Sequence, residues 1–319
     1  MRAHRFAVLT FLAAFTAAGL TQAWAIQSVP LRYRWTSGET MRYRATQVAN
    51  VTMSNLPGAG DMTVDTNVVQ VQQLSVTNVA ADGTATIRVT FESVKMDMTS
   101  PMGALSYDSA APASTGNPMA DMIGKSYGAL VGESVTLIVT PAGEIKSIDG
   151  LAPLVQKMTA ALPQGAGMPG MSSFMTEDSL RTVLEQNFPA VPNRGVAAGE
   201  TWAHNKKVKT ALGLAETSMT FAFKGVEARE GRQLASLTVK GTSKVTPDAA
   251  AVSNLPMRMT MGSGTSEGEL TIDTKTGRLY RSSVQSSQPM TMSMNGPDGS
   301  PMNIEAITKT TLTVELVEK

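Results

Sequence analysis

Methionine is the residue whose spacing most suggests chemistry in this 319-residue chain, which contains 21 of them and no cysteine. Met257, Met259 and Met261 occupy every second position, and Met290, Met292 and Met294 repeat the arrangement. In a β-strand that spacing puts three thioethers on one face. Met96 and Met98 add a shorter pair. Thioether side chains are flexible and polarisable, so three uses compete. They fill irregular gaps in a core; they line an apolar concavity that repacks around greasy ligands; or they hold Cu(I), which prefers soft donors. The six residues of the two triplets are the ligand-binding candidates, with a hydrophobic small molecule or lipid as the expected partner. A Cu(I)-handling protein acting through M-x-M strands is the first alternative, and a structural envelope protein the second.

Other chemical patterns fail on their surroundings. Gly264-Thr-Ser266-Glu-Gly268 has the G-x-S-x-G form, but a nucleophile elbow needs strand, turn, helix and a later histidine. Here Leu270 to Thr274 reads as a strand and no histidine follows. Gly124-Lys-Ser126 has the end of a phosphate loop, yet the glycine required five positions earlier is Met119. His204, beside Asn205, Lys206 and Lys207, has no second histidine or acidic partner in its neighbourhood. No carboxylate pair is proposed by its spacing. The expectation is a non-enzymatic chain with no catalytic residue, no metal ligand set and no cofactor.

The N-terminus states where the chain goes. Arg2, His4 and Arg5 precede an apolar run from Phe6 to Leu20, and Ala23-Trp24-Ala25 supplies the small residues of a cleavage site. Residues 1–25 read as a signal peptide, and the mature chain as periplasmic or secreted from Ile26 onward. The apolar run is short for a membrane span, and no second one follows. The absence of cysteine excludes lipid anchoring on cysteine, disulfides and thiolate metal sites.

Loss of the leader leaves about 294 residues, enough for one large or two ordinary domains. The 27 basic and 26 acidic residues become 25 and 26 once Arg2 and Arg5 are removed, a net charge of −1. Such a balance has no electrostatic footprint for nucleic acid. A transmembrane barrel is disfavoured because aromatic girdles are missing. Abundant Thr, Val, Ser and Gly with only 5% aromatic residues indicates many-stranded β structure.

The elements that must position the methionines follow from periodicity. Met41, Tyr43 and Ala45 alternate with polar residues, as do Ala85, Ile87, Val89 and Phe91. Val94, Met96 and Met98 have the opposite parity, so a β-bulge is expected near Glu92-Ser93. Ser100 to Gly128 reads as a long mobile loop. Helical spacing occurs between Ser147 and Pro189: Leu151, Leu154, Val155 and Met158 form one stripe, with Asp149 as the expected N-cap. Leu180, Val183, Leu184 and Phe188 form another, started by Thr176 and stopped by Pro189. At the C-terminal end, Met302, Ile304, Ala306, Leu312, Val314 and Leu316 share one parity, as in a long strand of a coiled sheet.

The second half echoes the first. Ala198-Gly-Glu-Thr-Trp202 follows Ser37-Gly-Glu-Thr-Met41; Gly225 to Val239 follows Asn78 to Val89; Thr274-Lys-Thr-Gly277 follows Thr140-Pro-Ala-Gly143. Three echoes in one order indicate a duplicated unit: an N-terminal β repeat at 26–150, a helical connection at 151–189 and a C-terminal β repeat at 190–319. The expected fold is mostly β, with two related, strongly curved antiparallel sheets or half-barrels and a few short helices between them. Whether the halves share one sheet is left open. The Gly-Glu-Thr strand starts, the Val79-x-x-Asp-Gly83 hairpin and the Thr-x-x-Gly turns resemble those of an exported bacterial family of unknown function. The curved sheet with helices is similar to periplasmic lipoprotein carriers, and that resemblance implies an acyl-chain-binding concavity.

Overall fold

The computed structural model describes residues 28–56, 60–101, 103–111, 118–160, 176–210, 213–247, 258–295 and 301–317. The expected signal peptide lies outside the described residues. The chain is mostly β, and its halves share one antiparallel sheet. The N-terminal half supplies β1 (Val29–Leu31), β2 (Thr40–Ser54), β3 (Met62–Val79), β4 (Ala85–Ser100), β5 (Gly103–Asp108), β6 (Ser134–Val139) and β7 (Ile145–Asp149). Helices α1 (Pro118–Gly128), α2 (Leu151–Ala160) and α3 (Glu177–Glu185) follow β5 and β7. The C-terminal half supplies β8 (Arg194–Val196), β9 (Thr201–Thr210), β10 (Gly213–Arg229), β11 (Arg232–Pro247), β12 (Arg258–Met261), β13 (Gly264–Asp273), β14 (Leu279–Asn295) and β15 (Pro301–Val317).

The sheet has 13 strands in the order β7-β6-β4-β3-β2-β15-β14-β13-β11-β10-β9, with β5 extending the lane of β6 along β4 and β12 extending the lane of β13 along β14. Each half contributes a five-lane run, β2 to β7 and β9 to β14, and β15 lies between the two. The runs begin alike. Gly38 N donates to Val76 O (2.8 Å) and Val76 N to Glu39 O (2.8 Å); Gly199 N donates to Phe223 O (2.8 Å) and Phe223 N to Glu200 O (2.9 Å). β1 and β8, which precede these starts, pair with each other.

The sheet is strongly curled, and two neighbouring residues prove it. Tyr33 N donates to Pro141 O in the β6–β7 turn, and Arg34 N donates to Thr276 O in the β13–β14 turn, both at 2.9 Å. Those hairpins are five lanes apart at their nearest strands, about 24 Å across a flat sheet. Adjacent residues reach both only if the sheet bends round on itself. Gly143 and Gly277, the last residues of the two Thr-x-x-Gly turns, make room for the crossing segment. Both have positive φ (83° and 71°). A Cβ on Gly143 would stand 2.7 Å from the Tyr33 ring, and one on Gly277 1.6 Å from Arg32 O.

The curl does not close into a barrel: the path ends at β7 on one side and β9 on the other. Helix α2 packs on α3 and α3 on β9, so helices occupy the gap that strands leave. The core they enclose includes Leu74, Ile87, Phe91, Leu137, Leu184, Phe223, Leu237 and Ile272. Its aromatic corner is Tyr33 stacked on Trp35 (5.1 Å) with Phe188 edge-on to both.

Local rules explain most element ends. Thr176 caps α3 by accepting from Ser179 N at 3.2 Å, and Glu177 and Asp178 lie where the helix dipole favours acids. The helix ends at Glu185, and Phe188 reaches the core from the turn beyond it. The bulge expected in β4 is present: Val71 pairs with Ser93 and Gln72 with Phe91, leaving Glu92 unpaired.

Two expectations need correction. Helix α2 starts after Gly150, whose carbonyl accepts from Leu154 N (3.4 Å), because Asp149 belongs to β7. The stretch from Ser100 to Gly128 is not one loop: it contains β5 and α1. Gly124 and Gly128 lie one turn apart on α1 and let the Tyr107 ring of β5 come against the helix backbone. That contact depends on tertiary approach, which composition alone does not reveal.

Candidate ligand-binding face

Strand alternation and register divide the sheet into a face toward the core and a face toward solvent. On the core side, β2 presents Met41 to Met53 at odd positions, β3 Met62 to Val76 at even ones, and β15 Met302 to Leu316 at even ones. At the end near the helices this face is fully buried. Further along it passes through a belt of small and polar residues, including Gln47, Gln70, Ser266, Ser286, Thr308 and Thr310. Beyond that belt it becomes apolar again, and this is where the methionines collect.

The two M-x-M runs meet there. Met259 lies opposite Met292 and Met261 opposite Met290. The next lane continues the row: Met290 faces Ala306, Met292 faces Ile304 and Met294 faces Met302. Ala306 in turn faces Met53, which faces Met62. Met53, Met62, Met261, Met290, Met292 and Met302 are half-buried, while Ile304 and Ala306 are buried. Met257 and the side chains of Met259 and Met294 lie outside the described residues. Met53, Met62 and Met302 escaped the sequence reading because they stand singly on their strands; only cross-strand register brings them into the row. Met96 and Met98 go elsewhere, into a small cluster with Val68, Leu105 and Tyr127 beneath α1.

The electrostatics of the two faces differ sharply. From β4 across to β10, the core-side positions of the described strands carry no charged residue. The charges occupy the opposite parity, as in the Arg42–Glu92 (2.6 Å) and Arg44–Glu315 (3.3 Å) pairs. Edge strand β9 brings His204, opposite Met219, and Lys206 to the core side. Lys206 pairs with Glu185 of α3, and partial burial with the nearby Arg181 holds its ammonium below the usual lysine range. The solvent face carries an open depression of about 510 Å³ over Asn50, Glu267, Gln285 and Lys309. Most of its lining residues are of the opposite parity from the methionines.

The rejected motifs stay rejected. Gly264 to Gly268 lies wholly within β13, with Ser266 opposite Gly241 and Ser286, so no elbow exists. Gly124-Lys-Ser126 lies inside α1, where no phosphate loop forms. Among the described residues no helix is long and apolar enough to cross a membrane.

A single antiparallel sheet curled around a packed core, with an uncharged, methionine-rich extension of its inner face, is the class of protein these features define. The chain belongs to a family of unknown function, DUF6263, whose model matches residues 82–279. That match includes Met257, Met259 and Met261 and stops before Met290. Comparison with curated proteins returns no match. Among solved structures, the chain is similar to one described as lipid-protein interactions in lipovitellin, at 11% identity and a TM-score of 0.45, covering 89% of this chain and 26% of that one. It is similar to the outer membrane protein OprG from Pseudomonas aeruginosa (8% identity, TM-score 0.24, 90% and 99% covered). It is also similar to a putative outer membrane lipoprotein-sorting protein domain from Vibrio parahaemolyticus (9% identity, TM-score 0.13, 86% and 87% covered). TM-scores of this size carry no argument about what the chain binds.

Proposed function

We propose that this is an exported, non-enzymatic protein that binds an apolar, lipid-like ligand along the methionine-rich inner face. One observation carries the reading: a row of half-buried methionines crosses adjacent strands on a face whose described strand positions carry no charge from β4 to β10. An ionic or sugar ligand finds no charged partner there. An acyl chain needs none, and flexible thioethers can repack around it. The same reading takes the chain as a tandem duplication, with repeats at 26–150 and 190–319 joined by 151–189.

Magnitudes set the size of ligand. Burial contributes about 0.8 kcal/mol per methylene, against an association cost of about 4–15 kcal/mol. A chain of about six carbons gains roughly 5 kcal/mol and barely offsets that cost, whereas about sixteen carbons gain roughly 13 kcal/mol. Affinity should therefore climb steeply with chain length.

The test is displacement of a hydrophobic fluorophore by a series of fatty acids, together with native mass spectrometry of the purified protein. Long chains should displace the probe and short ones should not. A wild-type protein that takes up neither probe nor fatty acid overturns the proposal. For export, intact mass of the processed protein should correspond to a chain starting near Ile26; a product retaining Met1 to Ala25 overturns that part.

A further inference from the structure

We infer that Met261, Met290 and Met292 form a second kind of site on the same face: a thioether site for a soft, monovalent d10 ion, Cu(I) or Ag(I). The inference stands independently of lipid binding. It begins with an irregularity between β12 and β13. Thr265 pairs with Ser287, and Met261 pairs with Met290. Four residues on one strand thus span three on the other, so one extra residue lies at Gly262–Ser263.

That extra residue reverses the parity of the strand. In β13 the even residues, Ser266 and Leu270, face the core side; in β12 the odd Met261 does so. Without it, Met261 would point to the opposite face from Met290 and Met292. The irregularity is anchored: Gly262 N donates to Pro289 O (2.9 Å), Gln288 Nε2 donates to Gly262 O (2.7 Å) and Ser243 Oγ donates to Gln288 Oε1 (2.9 Å). An apolar face alone does not require this device, since any apolar residue at position 260 or 262 would serve.

Register sets Met261 directly opposite Met290, with Met292 two residues along the same face. Directly opposed residues on antiparallel strands have Cβ atoms about 4.5–5.5 Å apart. Two flexible thioether arms at that separation can converge on one ion, and a third can join diagonally. Thioethers are neutral, soft donors and select Cu(I)-like ions over hard cations. Among the described residues this face carries no carboxylate of the kind that Ca²⁺, Mg²⁺ or Zn²⁺ would need. Thioethers do not titrate in the ordinary range, so affinity should be flat from about pH 5 to about pH 8, unlike that of histidine or thiolate sites.

The experiment titrates the processed protein with Ag(I) by calorimetry and with Cu(I) against a chromophoric chelator, beside Zn²⁺ and Ca²⁺. Wild type should bind Ag(I) and Cu(I) and neither divalent ion. Met261→Leu with Met290→Leu, and Met292→Leu alone, should each weaken soft-ion binding at least tenfold. These variants keep volume and apolarity, so melting temperature should stay near wild type. Wild type that binds Ag(I) but takes up no fluorophore would keep this site and lose the lipid reading, and the converse would do the opposite, so the two fail separately. Wild type that fails to compete for Cu(I), or Leu variants that bind as wild type does, overturns the site. If a Leu pair melts early, Gln288→Ala tests the same point: a released β12 should weaken Ag(I) binding, and unchanged binding counts against the site.

Discussion

Gly277 lies so close to Arg32 that a Cβ built on the glycine would stand 1.6 Å from the arginine's carbonyl oxygen. The contact joins the β13–β14 turn to the segment that crosses the curled sheet. Gly277→Ala must therefore either open that crossing or strain a left-handed backbone. It should lower stability by at least about 1–3 kcal/mol in urea unfolding. Gly60→Ala is the control, because a Cβ there meets nothing within 4 Å; it should be neutral or slightly stabilising.

Helix α3 contributes Leu184, which has 0% exposure, to the core. Leu184→Ala should cost about 2–5 kcal/mol. Val183→Ala, half-buried on the same helix, should cost clearly less. An unchanged melting temperature for Leu184→Ala would show that α3 is undocked in solution.

Alkaline pH should unfold the protein through two tyrosines. Burial pushes the Tyr33 and Tyr43 hydroxyls well above the ordinary phenol range, and each donates to a carbonyl, Pro189 O at 3.1 Å and Leu279 O at 2.8 Å. The folded state thus prefers the neutral forms. The stability from that preference is complete below the unfolded pKa of about 10 and is lost as pH climbs above it. Phe substitution at both positions should flatten the decline in urea midpoint between about pH 9 and about pH 11.5, even if the starting stability is lower. An equal slope in the variant would exclude these groups as the cause.

Parity offers a direct check of the binding face. Met53 faces the core side of β2, while Val48, 49% exposed, faces the other side. Met53→Glu puts a charge into the apolar row and should cut fluorophore affinity by about tenfold or more. Val48→Glu, on the same strand, should leave binding near wild type. Equal losses in both would mean that the probe reports unfolding and not the face.

Strand and helix positions were largely legible because their causes are local. The parity slip at Glu92–Ser93 is a bulge in the ladder, Thr176 is a cap, and the two Thr-x-x-Gly sequences are turns with left-handed glycines. The stretch from Ser100 to Gly128 was misread as a loop for the complementary reason. The seat of α1 on Tyr107 depends on two glycines that look like helix breakers until the ring that needs them is in place.

The candidate face divides along the same line. Alternation within the chain alone determined that Met259 and Met261 share a side, as do Met290 and Met292, because side chains on one strand obey a period of two. It could not determine that the pairs face each other, since one inserted residue at Gly262–Ser263 reverses parity without leaving a trace in composition. Nor could it join the two halves. The bond from Tyr33 to Pro141 and that from Arg34 to Thr276 span more than 100 and more than 200 residues, and only the curl of the finished sheet brings those ends together. Local geometry is written in neighbours along the chain; the shape of the face depends on pairings between strands far apart in it, and the tertiary structure alone supplies those.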